Sequence, residues 1–293
     1  MSVAVIINPN AGRPSARGVR ERVALATSVL DAAHVPGEVF VTERPRHASD
    51  LTAHAVARGA HLVVAWGGDG TVNEVAAALV KASLSAALGI IPAGSGNGLA
   101  RELKVASDPA RALREAIAAQ SAVIDCGEVN GRLFVSVAGV GLDAQIARGF
   151  ALDTSGRRGF STYARITARE LFRYRCGTVR IDGAVHPSTL FVTFANTSQF
   201  GNGARIAPNA RVDDGALDLV VVREGSRVAS VCALPRLFLG GLARVPGVTM
   251  TRVEQVRVES ETPMVYHVDG EPVEGGTRLD VRVLPGVLRV ALR

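Results

Sequence analysis

Lysine is nearly missing from this chain of 293 residues: of its 33 basic side chains only Lys81 and Lys104 are lysines. Aromatic residues are scarce as well, at 4%, and no segment interleaves them with basic residues, which excludes the stacking platform of a single-strand nucleic-acid binder. The three cysteines, Cys126, Cys176 and Cys232, lie far apart without CxxC or Cys/His spacing. That pattern excludes a disulfide framework and a zinc site, and suits small core residues in a reducing compartment. No apolar run approaches the roughly 18 residues of a spanning helix. Even the apolar stretch 228–248 is cut by Pro235, Arg236, Arg244 and Pro246, so any membrane contact is expected to be peripheral. No basic leader precedes MSVAVIINPN, which reads as a first buried strand, and a cytoplasmic protein is expected. Repeats of fixed period and low-complexity linkers are absent too.

What is present points to two domains, because 293 residues exceed the usual reach of one hydrophobic core. In the first 125 residues, short apolar runs (3–7, 38–42, 62–66, 87–92) alternate with helical stretches (near 15–33, 46–58, 71–82, 108–119). Apolar runs without alternation, separated by helices, predict a mostly parallel, Rossmann-like α/β sheet. From 126 onward the pattern has period two with turn punctuation: RLFVSVAG, TVRIDG, TLFVTFAN, ALDLVVV, EQVRVES, VYHVDG, LDVRVLPG, VLRVAL. It predicts a β-sandwich over 126–285 with helical inserts near 158–175 and 226–243, the segment 286–293 being free to rejoin the first domain.

Three glycine-rich clusters, NPNAG, GGDG and PAGSGNG, each follow a predicted strand, where ligands bind in open α/β sheets. Glycines between a strand and a helix permit close backbone approach, and the helix start offers N–H groups to an anion. Alone, GGDGT reads equally as a capped helix start, with Asp69 or Thr71 as cap. It has neither GxGxxG nor GxxxxGK[ST] spacing. Two such loops after neighbouring strands favour a shared phosphate crevice, and Arg13 in the first cluster is a further candidate to meet phosphate. An acid beside phosphate repels it, so Asp69 in that crevice implies an intervening cation. By themselves VDGE (268–271) is a hairpin turn and the DDG of 213–215 a turn before a strand.

Taken together, NPNAGR, then Thr42 with His47-Ala48, GGDGTVNEV, PAGSGNGLAR, GVGLDA (139–144), IAPNARVDDGALDL (206–219) and VDGE resemble, in order, the signatures of the diacylglycerol kinase catalytic-domain family. These are soluble lipid kinases that include sphingosine and ceramide kinases, with NAD kinase a more distant relative. The resemblance covers nearly the whole chain. It implies a nucleotide-binding α/β domain followed by a β-sandwich, ATP as donor, Mg2+, and a lipid hydroxyl, foremost that of diacylglycerol, as acceptor. Carried over residue by residue, Asn8, Thr42, Gly68, Gly70, Thr71, Gly94, Ser95 and Asn97 would hold the nucleotide, and Asp69 would face its phosphates through magnesium. Asp269 corresponds to a general base, with Glu271 beside it near the phosphates or metal. Asp214 matches a structural magnesium ligand, and Asp213 is its neighbouring candidate. Ser95 stands where the family commonly has threonine, and Gly98 where it often has an acid or amide. NAD as acceptor, or a non-catalytic nucleotide- or lipid-binding regulator, are the alternatives; DDGALDL and VDGE favour the lipid side.

The formal net charge of +6 calls for an anionic partner, and the family resemblance makes it an anionic membrane surface rather than nucleic acid. In the first insert Arg158, Arg165, Arg169 and Arg173 fall within about 80° at about 100° per residue, with Phe160, Tyr163, Thr167 and Leu171 opposite. This suits docking on the inner face of the membrane as well as an ordinary surface helix. The second insert, VASVCALPRLFLGGLARV, is apolar nearly all round and is expected to be core. The histidines show no ligand spacing. A homodimer is left open.

Overall fold

The computed structural model describes residues 2–12, 15–83, 86–153, 160–200, 203–225 and 241–292; Arg13, Arg158 and nearly all of the second insert lie outside the described residues. The chain forms two compact units, 1–124 with 286–293, and 125–285, and it passes between them within two strands.

The first unit contains β1 (Ser2–Ile7), α1 (Ala16–Ala32), β2 (Gly37–Val41), α2 (His47–Ala57), β3 (Ala60–Gly67), α3 (Asp69–Lys81), β4 (Ala87–Pro92), the short α4 (Gly98–Glu102) and α5 (Pro109–Ala118). Its strands run parallel in the order β2-β1-β3-β4. β1 and β3 are buried along nearly their whole length, as their unbroken apolar runs require of strands covered on both faces. Val5, Ile7, Val64, Trp66 and Ile91 pack with Leu30 of α1 and Leu113 of α5. Ser15 and Asp108 cap α1 and α5 by accepting N–H bonds at 3.0 and 2.7 Å. In a parallel sheet every strand ends at the same edge, which brings the glycine clusters after β1, β3 and β4 side by side.

β5 (Gln120–Val129) leads into the second unit, with β6 (Arg132–Phe134), β7 (Val137–Gly141), α6 (Leu142–Ala151), α7 (Phe160–Arg173), β8 (Gly177–Ile181), β9 (Ala184–Ala195), β10 (Leu217–Arg223), a 3-10 turn (Leu242–Arg244), β11 (Val248–Val253), β12 (Gln255–Ser260), β13 (Val265–Val268), β14 (Glu271–Glu274) and β15 (Arg278–Leu292). Its antiparallel pairings run β14-β13-β7-β9-β8-β12-β15, and β10 pairs both β9 and β11. The alternating inward residues, among them Phe134, Val192, Phe194, Leu219, Val258, Tyr266 and Leu279, form the core of this β-sandwich half.

Three details depart from the sequence pattern. RLFVSVAG, which reads as one strand, is interrupted at Val135-Ser136 between β6 and β7. The helix α6 follows β7 directly, burying Leu142, Ala144 and Ile146; only ten residues long, it is masked in the sequence by the strand-like GVGL before it. LDVRVLPG and VLRVAL form the single strand β15, which continues through Pro285 and Gly286.

Candidate active site

In the first unit the sequence-predicted nucleotide residues other than Thr42 lie in three adjoining loops, those after β1, β3 and β4. The Asn8 side chain donates to Thr71 Oγ1 at 2.8 Å, joining the first cluster to the start of α3. Asp69 opens α3 and joins its loop to the one after β4: Oδ2 accepts the Asn97 N–H at 2.8 Å and Oδ1 the Gly98 N–H at 2.6 Å. Asn97, at φ 53°, closes a ring on Gly94, accepting its N–H at 2.9 Å and donating to its carbonyl at 2.8 Å. Asparagine tolerates this left-handed conformation better than most residues. Gly68 and Gly94 meet backbone to backbone, and a methyl on Gly94 would sit 2.6 Å from the Gly68 Cα. The floor of the crevice is therefore bare main chain, a cradle that a Cβ would fill, which fits close approach by a phosphate. Thr42 follows β2, its N–H donating to Ile7 O at 2.9 Å, and Ser95 is exposed at the loop tip.

Two supports were not singled out by sequence reasoning. Glu74, one turn into α3, accepts the N–H of Arg46 at 3.2 Å and of Ala48 at 3.1 Å, tethering the His47-Ala48 turn to the GGDG helix. Arg22 of α1 donates to the carbonyls of Asn8 at 3.1 Å and Ala11 at 2.7 Å. Glu74 stands inside the quoted GGDGTVNEV, so the signal was present; Arg22 lies in an ordinary helical pattern and carried none.

In the second unit, Asp269 and Gly270 are the two central residues of the β13–β14 hairpin, at φ 48° and 86°, between the paired Val268 and Glu271. This is the primed turn that positive φ at both positions defines. The Asp269 carboxylate is turned onto the break between β6 and β7. It accepts the N–H groups of Val135 at 2.8 Å, Ser136 at 2.8 Å and Val137 at 3.0 Å. The interruption of RLFVSVAG thus has a cause: these amides bond a side chain rather than a neighbouring strand. Glu271 is exposed at the start of β14. Two residues before Asp269, buried His267 accepts the Gly270 N–H at 3.4 Å, and its Nε2 lies 3.4 Å from Asp143 of GVGLDA. Asp143 also accepts the Thr193 hydroxyl at 3.0 Å.

The DDG turn is held by Asp125, only 4% exposed, which accepts the Gly215 N–H at 2.7 Å and donates its own N–H to Val212. Asn196 donates to the carbonyls of both Asp125 and Val135 at 2.9 Å, linking the DDG turn to the strand break that receives Asp269. Asp214 Oδ2 lies 2.6 Å from Arg252 Nη2, and Asp213 Oδ1 3.2 Å from Arg211 Nε. Arg252 also stands opposite Asp218 in the β10–β11 register. The Asp218 carboxyl is pushed up, first by burial and then by Asp214, against the opposing pull of Arg252. No group of three or more His, Cys, Asp or Glu able to hold a metal occurs among the described residues. As placed, the Asp213 and Asp214 carboxylates are engaged by guanidinium groups, and this donor set does not fit a structural magnesium. Asp69 differs: both of its oxygens accept backbone N–H groups, and a hard oxygen donor at the glycine crevice has the chemistry that magnesium takes, so it fits.

Residues 2–129 match the family model described as the diacylglycerol kinase catalytic domain, and 136–292 the model described as the YegS C-terminal NAD kinase beta sandwich-like domain. A "Probable lipid kinase YegS-like" of Pseudomonas aeruginosa PAO1 is 34% identical over 258 residues, spanning 87% of this chain and 84% of that one. Its namesake in Pseudomonas fluorescens Pf-5 is 29% identical over 279 residues, 94% of this chain and 92% of its own. A crystal structure of a diacylglycerol kinase from Bacillus anthracis str. Sterne superposes with TM-score 0.73 at 20% identity, covering 100% of this chain and 97% of that one; this likeness bears on the fold.

Proposed function

Since the chain belongs to the YegS-like family of lipid kinases, an alcohol phosphotransferase family with the diacylglycerol kinase catalytic domain, we propose that it transfers the γ-phosphoryl group of ATP, with Mg2+, to a lipid hydroxyl, that of diacylglycerol foremost, giving phosphatidic acid. The observation that carries this reading is the glycine crevice whose two walls are joined by Asp69. Phosphoryl transfer demands positioning and charge neutralisation more than covalent catalysis, and a main-chain cradle beside one cation-holding carboxylate supplies both. When bound, the magnesium ion would neutralise charge on the phosphates. Asp69 would hold it there while its two accepted N–H bonds keep the loops together. Thr71, Ser95 and Asn97 would orient the nucleotide along with Asn8, Thr42 and the glycines 68, 70 and 94.

Asp269 is the residue assigned to take the proton from the acceptor hydroxyl. Its three backbone donors, one on Oδ2 and two on Oδ1, fix the carboxylate in one orientation, and the less heavily engaged Oδ2 is the oxygen read as the proton acceptor. Glu271, one residue past the turn, would stand near the phosphates. In this reading Asp213 and Asp214, paired with Arg211 and Arg252, take no part in the transfer. The protein is read as acting from the cytoplasm on the inner membrane face; no described helix is long and apolar enough to cross a membrane. The test is incubation with labelled ATP and magnesium and separate pools of diacylglycerol, monoacylglycerol, sphingoid base, phosphatidylglycerol and NAD. Label in a lipid supports the reading, label in NAD alone replaces it with the NAD kinase alternative, and binding without product marks a regulator.

A further inference from the structure

Two buried ionisable groups of the second unit have no part in the transfer described above. The His267 side chain is 4% exposed and that of Asp143 9%, and they meet where α6 packs on β13, β7 and β9. Burying such a pair is costly unless both members are satisfied. The sheet prepares their meeting: His267, Gly139 and Thr193 stand opposite one another in a single row across β13, β7 and β9. Directly paired residues of neighbouring strands point to one face, so the missing side chain of Gly139 leaves a gap between His267 and Thr193. Asp143, the second residue of α6, fills it. A methyl on Gly139 would take the place of the Asp143 carboxylate and come 3.1 Å from His267 Nε2. Asp143 Oδ2 accepts the Thr193 hydroxyl at 3.0 Å and lies 3.4 Å from His267 Nε2, while Oδ1 accepts the Ala144 N–H at 2.7 Å.

The other ring nitrogen faces the hairpin: His267 Nδ1 accepts the Gly270 N–H at 3.4 Å. A two-residue turn closes through the carbonyl of its first residue and the N–H of its fourth, here Val268 and Glu271. The turn's own bond therefore makes no use of the Gly270 N–H. An imidazole that accepts at Nδ1 carries its proton on Nε2, the nitrogen turned toward the Asp143 carboxylate. The carboxylate thus selects the tautomer, and the tautomer gives the turn an acceptor.

We propose that Asp143 and His267 are positioning residues for the proton acceptor: Asp143 orients the His267 ring, and Nδ1 of that ring holds the Gly270 amide so that the turn presents Asp269 in one orientation. This rests on the reading of Asp269 as the group that takes the proton of the acceptor hydroxyl. The N–H groups of Val135, Ser136 and Val137 fix the carboxylate itself, and His267 fixes the main chain that carries it. Such a double hold matters because a reacting group misplaced by about 1 Å can lose ~100-fold in rate.

The experiment joins steady-state kinetics of the full chain, with diacylglycerol in neutral detergent micelles, to long-range proton–nitrogen NMR of its histidine rings, the His267 signals being assigned by their loss in His267→Gln. At neutral pH the wild-type ring should carry its proton on Nε2 and none on Nδ1. His267→Gln keeps a donor near the Nε2 position, whereas His267→Asn keeps an acceptor near that of Nδ1. Glutamine should lower kcat at least ~10-fold with the KM for ATP unchanged, and asparagine should recover most of that loss. Asp143→Ala should resemble the glutamine variant. In an Asp269→Asn background His267→Gln should cost nothing further, the mark of a residue that acts through Asp269. A proton on Nδ1, normal turnover in His267→Gln, or losses that add in full to that of Asp269→Asn would each overturn the proposal while the wild type remains active. So would a fall in kcat that follows melting temperature alone, with glutamine, nearer histidine in size, the milder replacement. A wild-type chain that phosphorylates no lipid defeats the kinase reading, and the positioning role with it.

Discussion

The Asp69 carboxylate and the Gly98 amide stand 2.6 Å apart, 29 residues distant in sequence, and with the companion bond to Asn97 they fasten the loop after β3 to the loop after β4. The acid of the glycine crevice thus has a structural task, holding its two walls together. Gly98, where the family often has an acid or amide, contributes its N–H rather than a side chain.

Replacing Asp69 by Ala leaves two partly buried N–H groups without this acceptor. Stability should fall by about 1–3 kcal/mol, and magnesium-dependent transfer should drop by at least ~100-fold while the circular dichroism remains that of a folded chain. Turnover above a tenth of wild type would confine Asp69 to loop tethering.

Gly94→Ala places a methyl 2.6 Å from the Gly68 backbone, which cannot yield as a flexible side chain would. Nucleotide affinity is expected to fall at least ~10-fold, on the order of 1–3 kcal/mol from overpacking. Gly177→Ala, which meets nothing within 4 Å, is the control and should leave titrations of ATP binding unaltered.

For Asp269→Asn, the amide must turn an NH2 group toward one of three backbone N–H donors. Unfolding in urea should show a loss of about 1–2 kcal/mol. Turnover per folded molecule should fall ~100-fold or more, with ATP affinity similar. Near-normal turnover would remove Asp269 from the proton-transfer step.

At the DDG turn the cation partnering Asp214 is Arg252. EDTA should therefore leave the melting temperature of the nucleotide-free protein unchanged, and a drop on chelation would show a metal displacing Arg252. Arg252→Ala should lower Tm by about 2–4 °C, as for the loss of an ion pair worth up to about 1 kcal/mol. Asp218 is held above its usual value, so its folded form is favoured below the unfolded carboxyl pKa and loses that advantage as pH rises. Removing Arg252 raises it further. The variant's deficit should accordingly be larger at neutral pH than at about pH 4, as measured by melts at both.

Burial, and then Glu224, push the Cys176 thiol up to about 11. Near pH 8 only ~1 in 1000 of these thiols is thiolate, the species that reacts. Alkylation by iodoacetamide, followed by peptide mass mapping, should be slow at pH 8 and quicken about tenfold per pH unit toward 10. Cys126, fully buried and raised by desolvation, should stay unlabelled throughout. Rapid labelling of Cys176 at pH 8 would contradict the placement of its side chain.

The sequence by itself determined the parallel half of the fold and which of its edges carries the glycine loops. Apolar runs such as VAVII and LVVAW specify strands buried on both faces, and glycines after them specify where backbone alone lines a crevice; both are local properties of a few consecutive residues. It also determined the Asp269-Gly270 turn, because a two-residue hairpin loop has few solutions. What the turn's carboxylate bonds to, 132–134 residues away, was decided only by tertiary structure. So were the Asp214–Arg252 pair, the Glu74 tether and the burial of Leu171 of α7 against Leu142 and Ile146 of α6. Hydrogen-bond and ion-pair partners far apart in the chain depend on how strands register and helices rotate. That information resides in the summed packing of the core, not in any one motif.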